Sequence, residues 1–267
     1  MTTGPRSTIG EILPAAKAEG ATAPRGDTLE LEVAVSYRDV DREEVLQLPA
    51  VFRFLQEAAI AHANRHDVGT HAAAERGESW MLNRIAVAIH RYPRYEETLR
   101  IETWSSGIKG FKGYRDFRVR DAGGALVVAG SSLWLYVDVR ARAIVRVPRE
   151  VAERFPARPE GVFCPELESL VLPAPAAGTP AEEITVRYGD IDSNLHVNNT
   201  AYLDYLQTAL ARTGRPPRPR EVRLKFGKGI PAGTGAVRVR FGPPATDGAA
   251  FSIEHADTIA AQGDVRG

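Results

Sequence analysis

The stretch EVAVSYRDVDREEVLQLPAVFRFLQEA, residues 32–58, occurs a second time in related form as EITVRYGDIDSNLHVNNTAYLDYLQTA, residues 183–209. The two stretches align without a gap, and nine of the 27 aligned positions are identical. Unrelated stretches of average composition would share about two. The identities include the run Y-x-D-x-D, which precedes a mostly apolar segment in both copies. We interpret the chain as two copies of one folding unit.

Each copy has the same predicted order of elements: a strand, a loop, a helix and then several strands. Apolar residues recur at spacings of three and four in the helices and alternate with polar residues in the strands. The predicted elements of the first copy are a strand over 29–35, a helix over 49–64 and β segments over 80–90, 98–107, 113–121 and 125–138. Those of the second copy are a helix over 200–211 and β segments over 221–229, 235–242 and 249–257.

These elements predict an α+β fold in which one long apolar helix of each copy packs on a mostly antiparallel sheet. If the two units join edge to edge, they bury sheet edges and place both long helices on one continuous antiparallel sheet. The composition divides the chain into a flexible N-terminal segment over 1–28, the first copy over 29–154, a linker over 155–182 and the second copy over 183–267. The linker holds six of the 18 prolines, which favour extended, irregular structure.

The composition excludes several classes of protein. Lys and Arg total 34, as do Asp and Glu, so the net charge is +0, whereas nucleic-acid-binding domains are usually basic. No apolar run approaches the ~18 residues of a membrane-spanning helix, and residues 1–27 lack the apolar core of a signal peptide. Cys164 is the single cysteine, so neither an internal disulfide nor a cysteine-ligated zinc site can form. We therefore expect a cytoplasmic protein with no metal, no membrane span and no nucleic-acid partner.

The copies diverge directly after the Y-x-D-x-D run, where the first reads REEVLQLP (42–49) and the second SNLHVNNT (193–200). Asp192, Asn194 and His196 occupy alternate positions, which would place them on one side of an extended stretch. A carboxylate, an amide and an imidazole on one side can orient a water molecule, accept its proton and polarise a carbonyl.

The next residues, Asn198, Asn199 and Thr200, open the second predicted helix. The free N–H groups of a first helical turn, together with the helix dipole, can hold a carbonyl oxygen that gains negative charge. These groups and the polar trio can support hydrolysis of an ester or thioester without a metal ion. Structural roles stay open as well: Asn198 and Asn199 can be N-caps, and we expect Asp39 and Asp190, present in both copies, to cap loops.

Two further patterns are weaker. His62 and His66 lie one turn apart near the end of the first predicted helix, with Asp67 beside them, and can bind a metal, but we favour a solvated helix end. The run ARTGRPPRPREVRLK, residues 211–225, is either a solvated basic loop or a docking surface for an acidic partner. The sequence contains no zinc-protease, serine-hydrolase-elbow or phosphate-loop pattern.

Three stretches of the chain match a known family in combination: DIDSNLHVNNTAYLDYL (190–206), HRYPRYEETLRIETW (90–104) and GVFCPELESLVLP (161–173). Together they resemble the acyl-acyl carrier protein (acyl-ACP) thioesterase family, over about residues 29–240. The first stretch resembles the family's Asp-x-Asp-x-Asn-x-His-Val-Asn-Asn run. Its His-Val-Asn-Asn part also occurs in other hotdog thioesterases, so the other two stretches make the resemblance more specific.

The resemblance implies a tandem hotdog fold. It also implies a hydrolase of fatty acid biosynthesis that needs no cofactor, has acyl carrier protein as its partner and releases free fatty acid from it. It also implies that the second copy is catalytic and that the first shapes the acyl-chain pocket. The expected site residues are Asp192, Asn194 and His196 for catalysis, and Asn198, Asn199, Thr200, Trp80 and Met81 for substrate binding.

The chain departs from the family at one place. Plant members carry adjacent Glu and Cys residues in the strand region after the second helix. The corresponding stretch here is about LKFGKGIP (224–231), with Gly227 or Lys228 where those residues would fall. A cysteine nucleophile is therefore not expected, and Asp192 acts either as general base or as nucleophile. Two other functions remain open: hydrolysis of acyl-coenzyme A, and acyl binding with little or no catalysis. The assembly is expected to be a monomer or a homodimer.

Overall fold

The structure is a computed structural model that describes residues 27–267 apart from 177 and 245–246. The predicted flexible segment over 1–28 therefore lies almost entirely outside the described residues. Among the described residues, no helix combines the length and the apolar character needed to cross a bilayer.

The first copy contributes six strands and three helices. They are β1 (Thr28–Ala34), α1 (Leu48–Arg65), α2 (Thr70–Arg76), β2 (Glu78–Ile89), β3 (Thr98–Lys109), β4 (Lys112–Asp121), β5 (Leu126–Asp138), β6 (Ala143–Ile144) and α3 (Arg149–Ala152). The second copy contributes β7 (Ala181–Thr185), α4 (Ala201–Arg212), β8 (Glu221–Phe226), β9 (Ala236–Phe241), β10 (Gly248–His255) and β11 (Thr258–Arg266). The predicted long helices and β segments thus form, with boundaries shifted by a few residues.

All strands belong to one sheet, in the order β1-β3-β4-β5-β2-β8-β11-β10-β9-β7, with β6 paired to β5. Neighbouring strands are antiparallel. The two copies meet where β2 pairs with β8, from Arg84 opposite Lys225 to Ala88 opposite Glu221. Each copy thereby covers an edge strand of the other, and the prediction of one continuous antiparallel sheet is confirmed.

Both long helices pack on the same face of this sheet. Pro49 lies in the first turn of α1, where its missing N–H has no helical partner to lose. Apolar residues of α1 and α4, such as Leu55 and Leu206, are almost fully buried in one core that spans both copies. Burial of this kind contributes about 1.5–3 kcal/mol for each large apolar side chain.

The linker crosses the opposite face of the sheet. Phe163, Cys164 and Leu167 are buried there against small residues of β2 and β5. The Asp116 carboxylate accepts hydrogen bonds from the Phe163 N–H (2.9 Å) and from Ser131 Oγ (2.5 Å), which fixes the linker to the first copy. Burial raises the pKa of the Cys164 thiol to about 12, so this cysteine is a structural residue.

Candidate active site

The candidate site is the turn between β7 and α4 in the second copy. The first copy has an equivalent turn between β1 and α1. In the second copy the Asp192 N–H donates to the His196 carbonyl, and the Asn198 N–H donates to the Asp190 carbonyl, both at 2.8 Å. The first copy makes the two equivalent bonds at 2.9 Å. Leu195 has φ 59° and its counterpart Glu44 has φ 58°, in the left-handed region that few non-glycine residues adopt.

The alternate spacing of Asp192, Asn194 and His196 predicts an extended stretch, but the three residues lie in a turn instead. Oδ1 of Asp192 accepts the N–H groups of Asn194 (2.8 Å) and His196 (3.4 Å), so the carboxylate holds the chain in a tight turn. This local hydrogen bonding overrides the extended conformation, and it still brings the three residues together. Among the described residues, no hydrogen bond reaches Oδ2 of Asp192, which leaves that oxygen free to accept a proton.

The orientation of His196 fixes its tautomer. Nδ1 lies 2.8 Å from the backbone oxygen of Asn194, and because a carbonyl can only accept, Nδ1 carries the proton. In this tautomer Nε2 is the ring nitrogen that can accept a proton. The ring packs on Gly229, where an added Cβ would lie 3.0 Å from Cδ2 of His196.

The start of α4 offers fewer free N–H groups than the sequence suggests. The N–H of Thr200 donates to Oδ1 of Asn198 (2.9 Å), and the N–H of Ala201 donates to the Asn198 carbonyl (2.9 Å). The N–H of Asn198 donates to the Asp190 carbonyl, as described above. Within the described chain, the N–H groups of Asn199 and Tyr202 have no hydrogen-bond partner here, and of these two residues Asn199 lines the cavity, so its N–H is the candidate oxyanion donor.

A cavity of about 240 Å³ opens beside this turn. Most of its lining comes from the first copy, including apolar residues of α1, Trp80 and Trp134, and Phe155 at the start of the linker also lines it. The expected site residues that line it are Asp192, Asn194, Asn198, Asn199 and Trp80. Thr200 lines a smaller neighbouring cavity together with Asn199.

Two expected site residues lie elsewhere. The side chain of Met81 is 44% exposed and lies outside the cavity lining, because alternation along β2 points it away from Trp80. His196 is exposed beside the mouth and is not part of the lining.

Two family models match the chain: the acyl-ACP thioesterase N-terminal domain over residues 26–155 and the acyl-ACP thioesterase C-terminal domain over residues 175–262. The chain belongs to the acyl-ACP thioesterase family. Dodecanoyl-[acyl-carrier-protein] hydrolase of Cinnamomum camphora is 31% identical over 196 residues, which are 68% of this chain and 51% of that protein. Palmitoyl-acyl carrier protein thioesterase of Gossypium hirsutum is 24% identical over 181 residues, 63% of this chain and 43% of that protein. The chain thus spans about half the length of the curated relatives it matches.

Solved structures agree on the fold. An acyl-ACP thioesterase from Bacteroides thetaiotaomicron has a TM-score of 0.78 at 17% identity and covers 90% of this chain and 97% of its own. The 12:0-ACP thioesterase from Umbellularia californica has a TM-score of 0.78 at 21% identity, covering 92% of this chain and 98% of its own. The architecture of this thioesterase-family chain is therefore a double hotdog.

The first copy of this thioesterase-family chain keeps the turn but not the free carboxylate. Oδ1 of Asp41 accepts the N–H groups of Glu43 (2.9 Å) and Val45 (3.2 Å), and Oδ2 accepts Nε (2.9 Å) and Nη2 (2.5 Å) of Arg218. Burial raises the pKa of Asp41, but the bonds from Arg218 and the two backbone N–H groups outweigh burial, so its pKa lies below the usual value. Arg218 also bonds Glu43 at 2.9 Å. Asp41 is thus fully occupied in a bond between the two copies.

The basic run over 211–225 is largely committed to such internal contacts. Besides the pairing of Arg218, Arg212 donates to a backbone carbonyl, Arg215 stacks on an aromatic ring, and Arg223 forms a two-bond ion pair with Asp264. These contacts favour a structural role for most of the run over a docking surface.

Gly227, in the stretch where the resemblance places the Glu and Cys of plant members, has no room for a side chain. A Cβ at Gly227 would lie 2.8 Å from the Ile259 carbonyl oxygen, because β11 passes directly over it. Lys228 is exposed.

The prediction of a solvated helix end at His62 and His66 is wrong. His62 is fully buried, and its Nε2 lies 3.0 Å from Oδ2 of Asp27, not beside Asp67. His66 Nε2 lies 2.5 Å from the same oxygen, so three potential metal-ligand atoms converge within 4.8 Å of one another. Nη1 of Arg115, however, donates to Nδ1 of His62 at 2.9 Å. A neutral imidazole that accepts at Nδ1 carries its proton on Nε2, which argues against metal binding there.

Arg115 is the residue of this region that the sequence reading missed. It lines the cavity, although it is only 8% exposed. The signal was present, since alternation along β4 places Arg115 on the same side as Phe117 and Val119, which are core residues.

Proposed function

We propose that this chain hydrolyses the thioester of fatty acyl-ACP and releases the free fatty acid. The observation that carries the proposal is that Asp192, whose Oδ2 has no hydrogen-bond partner among the described residues, lines the cavity in the same turn as His196. Membership of the family and the names of the curated relatives support the same activity.

In the proposed mechanism Asp192 Oδ2 takes a proton from a water molecule whose oxygen attacks the thioester carbonyl. The Asn199 N–H donates to the oxygen that becomes negative, and the Asn194 side chain orients the water. The tetrahedral intermediate then collapses by breaking the C–S bond, and His196 carries the proton from Asp192 to the departing thiolate. An acid–base group of this kind contributes about 10²–10⁴ in rate, and one oxyanion donor about 10²–10³. Direct attack by Asp192 is the alternative mechanism.

The carrier and the catalytic role are tested together by steady-state hydrolysis of matched acyl-ACP and acyl-coenzyme A substrates. We expect a higher kcat/KM on acyl-ACP, and a fall of at least tenfold in Asp192→Ala. A higher value on the coenzyme ester would favour an acyl-coenzyme A thioesterase. Residual hydrolysis that is unchanged in Asp192→Ala would favour a non-catalytic acyl-binding protein.

The cytoplasmic location and the monomeric or homodimeric state remain predictions from the sequence. Fractionation of the native cell and light scattering of the purified chain would test them separately.

A further inference from the structure

Gln56 is a polar residue in an apolar part of the wall of the cavity that adjoins Asp192. The face of α1 that lines this cavity consists of Gln56, Ala59, Ile60 and Ala63, which are spaced three and four residues apart. Gln56 is half-buried, and among the described residues its side-chain amide has no hydrogen-bond partner. An unpartnered amide in an apolar wall costs stability, so the fold alone does not explain this side chain.

The second copy shows the same residue in a structural role. Gln207 occupies the aligned position in α4, and its Nε2 donates to the carbonyl of Pro217 at 3.0 Å. Gln207 therefore fixes the chain that follows its own helix, and it is not part of the cavity lining. As with the aspartates of the two turns, one copy uses the side chain in an internal bond. For this glutamine, however, it is the first copy that leaves the polar group free to face the cavity.

Gln56 lies beside the candidate oxyanion donor. It lines both the main cavity and the small neighbouring cavity, and Asn199 lines the same two cavities. Asp192 and Asn194 line the main cavity as well. Because α1 and α4 pack against each other, Gln56 faces the first turn of α4 from the opposite helix. Its amide is thus on the side of the cavity where the Asn199 N–H would meet a thioester carbonyl oxygen.

Neighbouring polar groups of the cavity wall are engaged elsewhere. Nε1 of Trp134 donates to Oγ of Ser132 at 2.8 Å. The Tyr114 hydroxyl donates to Oε2 of Glu168 at 2.5 Å. The amide of Gln56, by contrast, keeps two N–H donors for a ligand, and it stays neutral, so it can bond an oxygen that gains charge without giving up a proton.

We propose that Gln56 is a catalytic residue, whose Nε2 donates to the thioester carbonyl oxygen together with the Asn199 N–H. This inference rests on the proposed function. When the water oxygen attacks, the π electrons of the carbonyl move to its oxygen, and the two donors hold the negative charge. The C=O bond forms again as the C–S bond breaks, and the departing thiolate takes its proton from His196. The reaction centre is then built from both copies, and one such donor contributes about 10²–10³ in rate.

The test compares Gln56→Met with Gln207→Met in steady-state hydrolysis of acyl-ACP. Methionine has a similar length and shape but no N–H donor. We expect kcat to fall by about 10²–10³ in Gln56→Met with less than a threefold change in KM, because the lost bond strengthens in the transition state. Its melting temperature should not fall, since the side chain it replaces has no partner in the fold. Gln207→Met should keep the wild-type kcat.

A second variant, Gln56→Glu, gives a signature that a packing role would not produce. An ionised carboxylate can accept hydrogen bonds but cannot donate one, whereas the protonated acid can donate. The ratio of the variant kcat to the wild-type kcat should therefore rise as the pH falls, by up to tenfold for each unit above the pKa of the new carboxyl group. A ratio that is flat with pH, or a folded Gln56→Met that keeps the wild-type kcat, would overturn the inference.

Infrared spectroscopy separates failure of this inference from failure of the proposed function. The probe is acyl-ACP with a ¹³C-labelled thioester carbonyl, bound to Asp192→Asn so that it is not consumed. Its C=O stretch should lie at lower frequency than in the double variant Asp192→Asn/Gln56→Met, because a donated hydrogen bond weakens the C=O bond. If the wild type hydrolyses no acyl-ACP but this difference is present, the proposed hydrolase is wrong and the assignment of Gln56 as a carbonyl donor stands. Equal frequencies in a wild type that does hydrolyse acyl-ACP would leave the hydrolase intact and refute the role of Gln56.

Discussion

Asp192 and Asp41 hold the same turn in the two copies, but only Asp41 is engaged by an arginine among the described residues. Each carboxylate accepts, through Oδ1, the N–H groups two and four residues further on. Oδ2 of Asp41 is bonded to Arg218, whereas no described residue bonds Oδ2 of Asp192. Asp41 is therefore a matched control, within the same molecule, for Asp192 as the proposed general base.

This pair gives the first prediction. Asp192→Asn keeps the turn-forming oxygen but loses the base, so we expect kcat/KM on acyl-ACP to fall by about 10²–10⁴ with little change in thermal stability. Asp41→Asn should show the reverse: nearly wild-type kcat/KM, and a loss of about 1 kcal/mol in the free energy of unfolding as the partly exposed pair with Arg218 weakens. Equal losses of activity in the two variants would contradict the assignment of catalysis to the second copy.

The second prediction concerns the glycine under His196. Gly229→Ala would place a Cβ 3.0 Å from Cδ2 of His196, so the imidazole must shift and its proton transfer should slow. We expect kcat to fall about tenfold with an unchanged melting temperature. Gly235→Ala is the control, since its Cβ would meet no atom within 4 Å. If both variants keep the wild-type kcat, the position of the His196 ring does not matter for the reaction.

The third prediction is a pH dependence of stability. Burial lowers the pKa of His62 to about 4, and the nearby Arg115 charge acts in the same direction. The unfolded chain, with a histidine pKa of about 6.5, takes up this proton first, so His62 stabilises the fold above pH 6.5. That contribution is lost progressively as the pH falls from about 6.5 to about 4, with a slope of at most about 1.4 kcal/mol per pH unit.

Chemical denaturation of the wild type and His62→Gln across this range would measure the effect. Burial lowers the pKa of His90 as well, so part of the pH slope should persist in the variant. The difference between the two slopes isolates His62, and identical slopes would show that its ring is not buried in the neutral form.

The repeat made much of the fold predictable. Two stretches with the same apolar spacing had to form the same helix, and alternation located most strands because one face of each strand is buried. The register of β2 against β8 could not be predicted from the sequence, because it depends on contacts between residues about 140 positions apart.

The candidate site was predictable in composition but not in conformation. Divergence between the copies identified Asp192 and His196, yet alternate spacing gave an extended stretch where the chain turns at Leu195. A non-glycine residue with positive φ leaves no clear pattern in the sequence. The contact between His62 and Arg115 joins residues 53 positions apart, so it could not be predicted from the sequence around either residue.

The bond between Asp41 and Arg218 limits how this protein can be redesigned. A reaction centre in the first copy would require Asp41 to be freed from Arg218. Loss of this bond would weaken the contact between the two copies. Divergence of the two copies has thus made a potential reactive group part of the contact between them. A variant with a reaction centre in each copy would first need another interaction to replace this one.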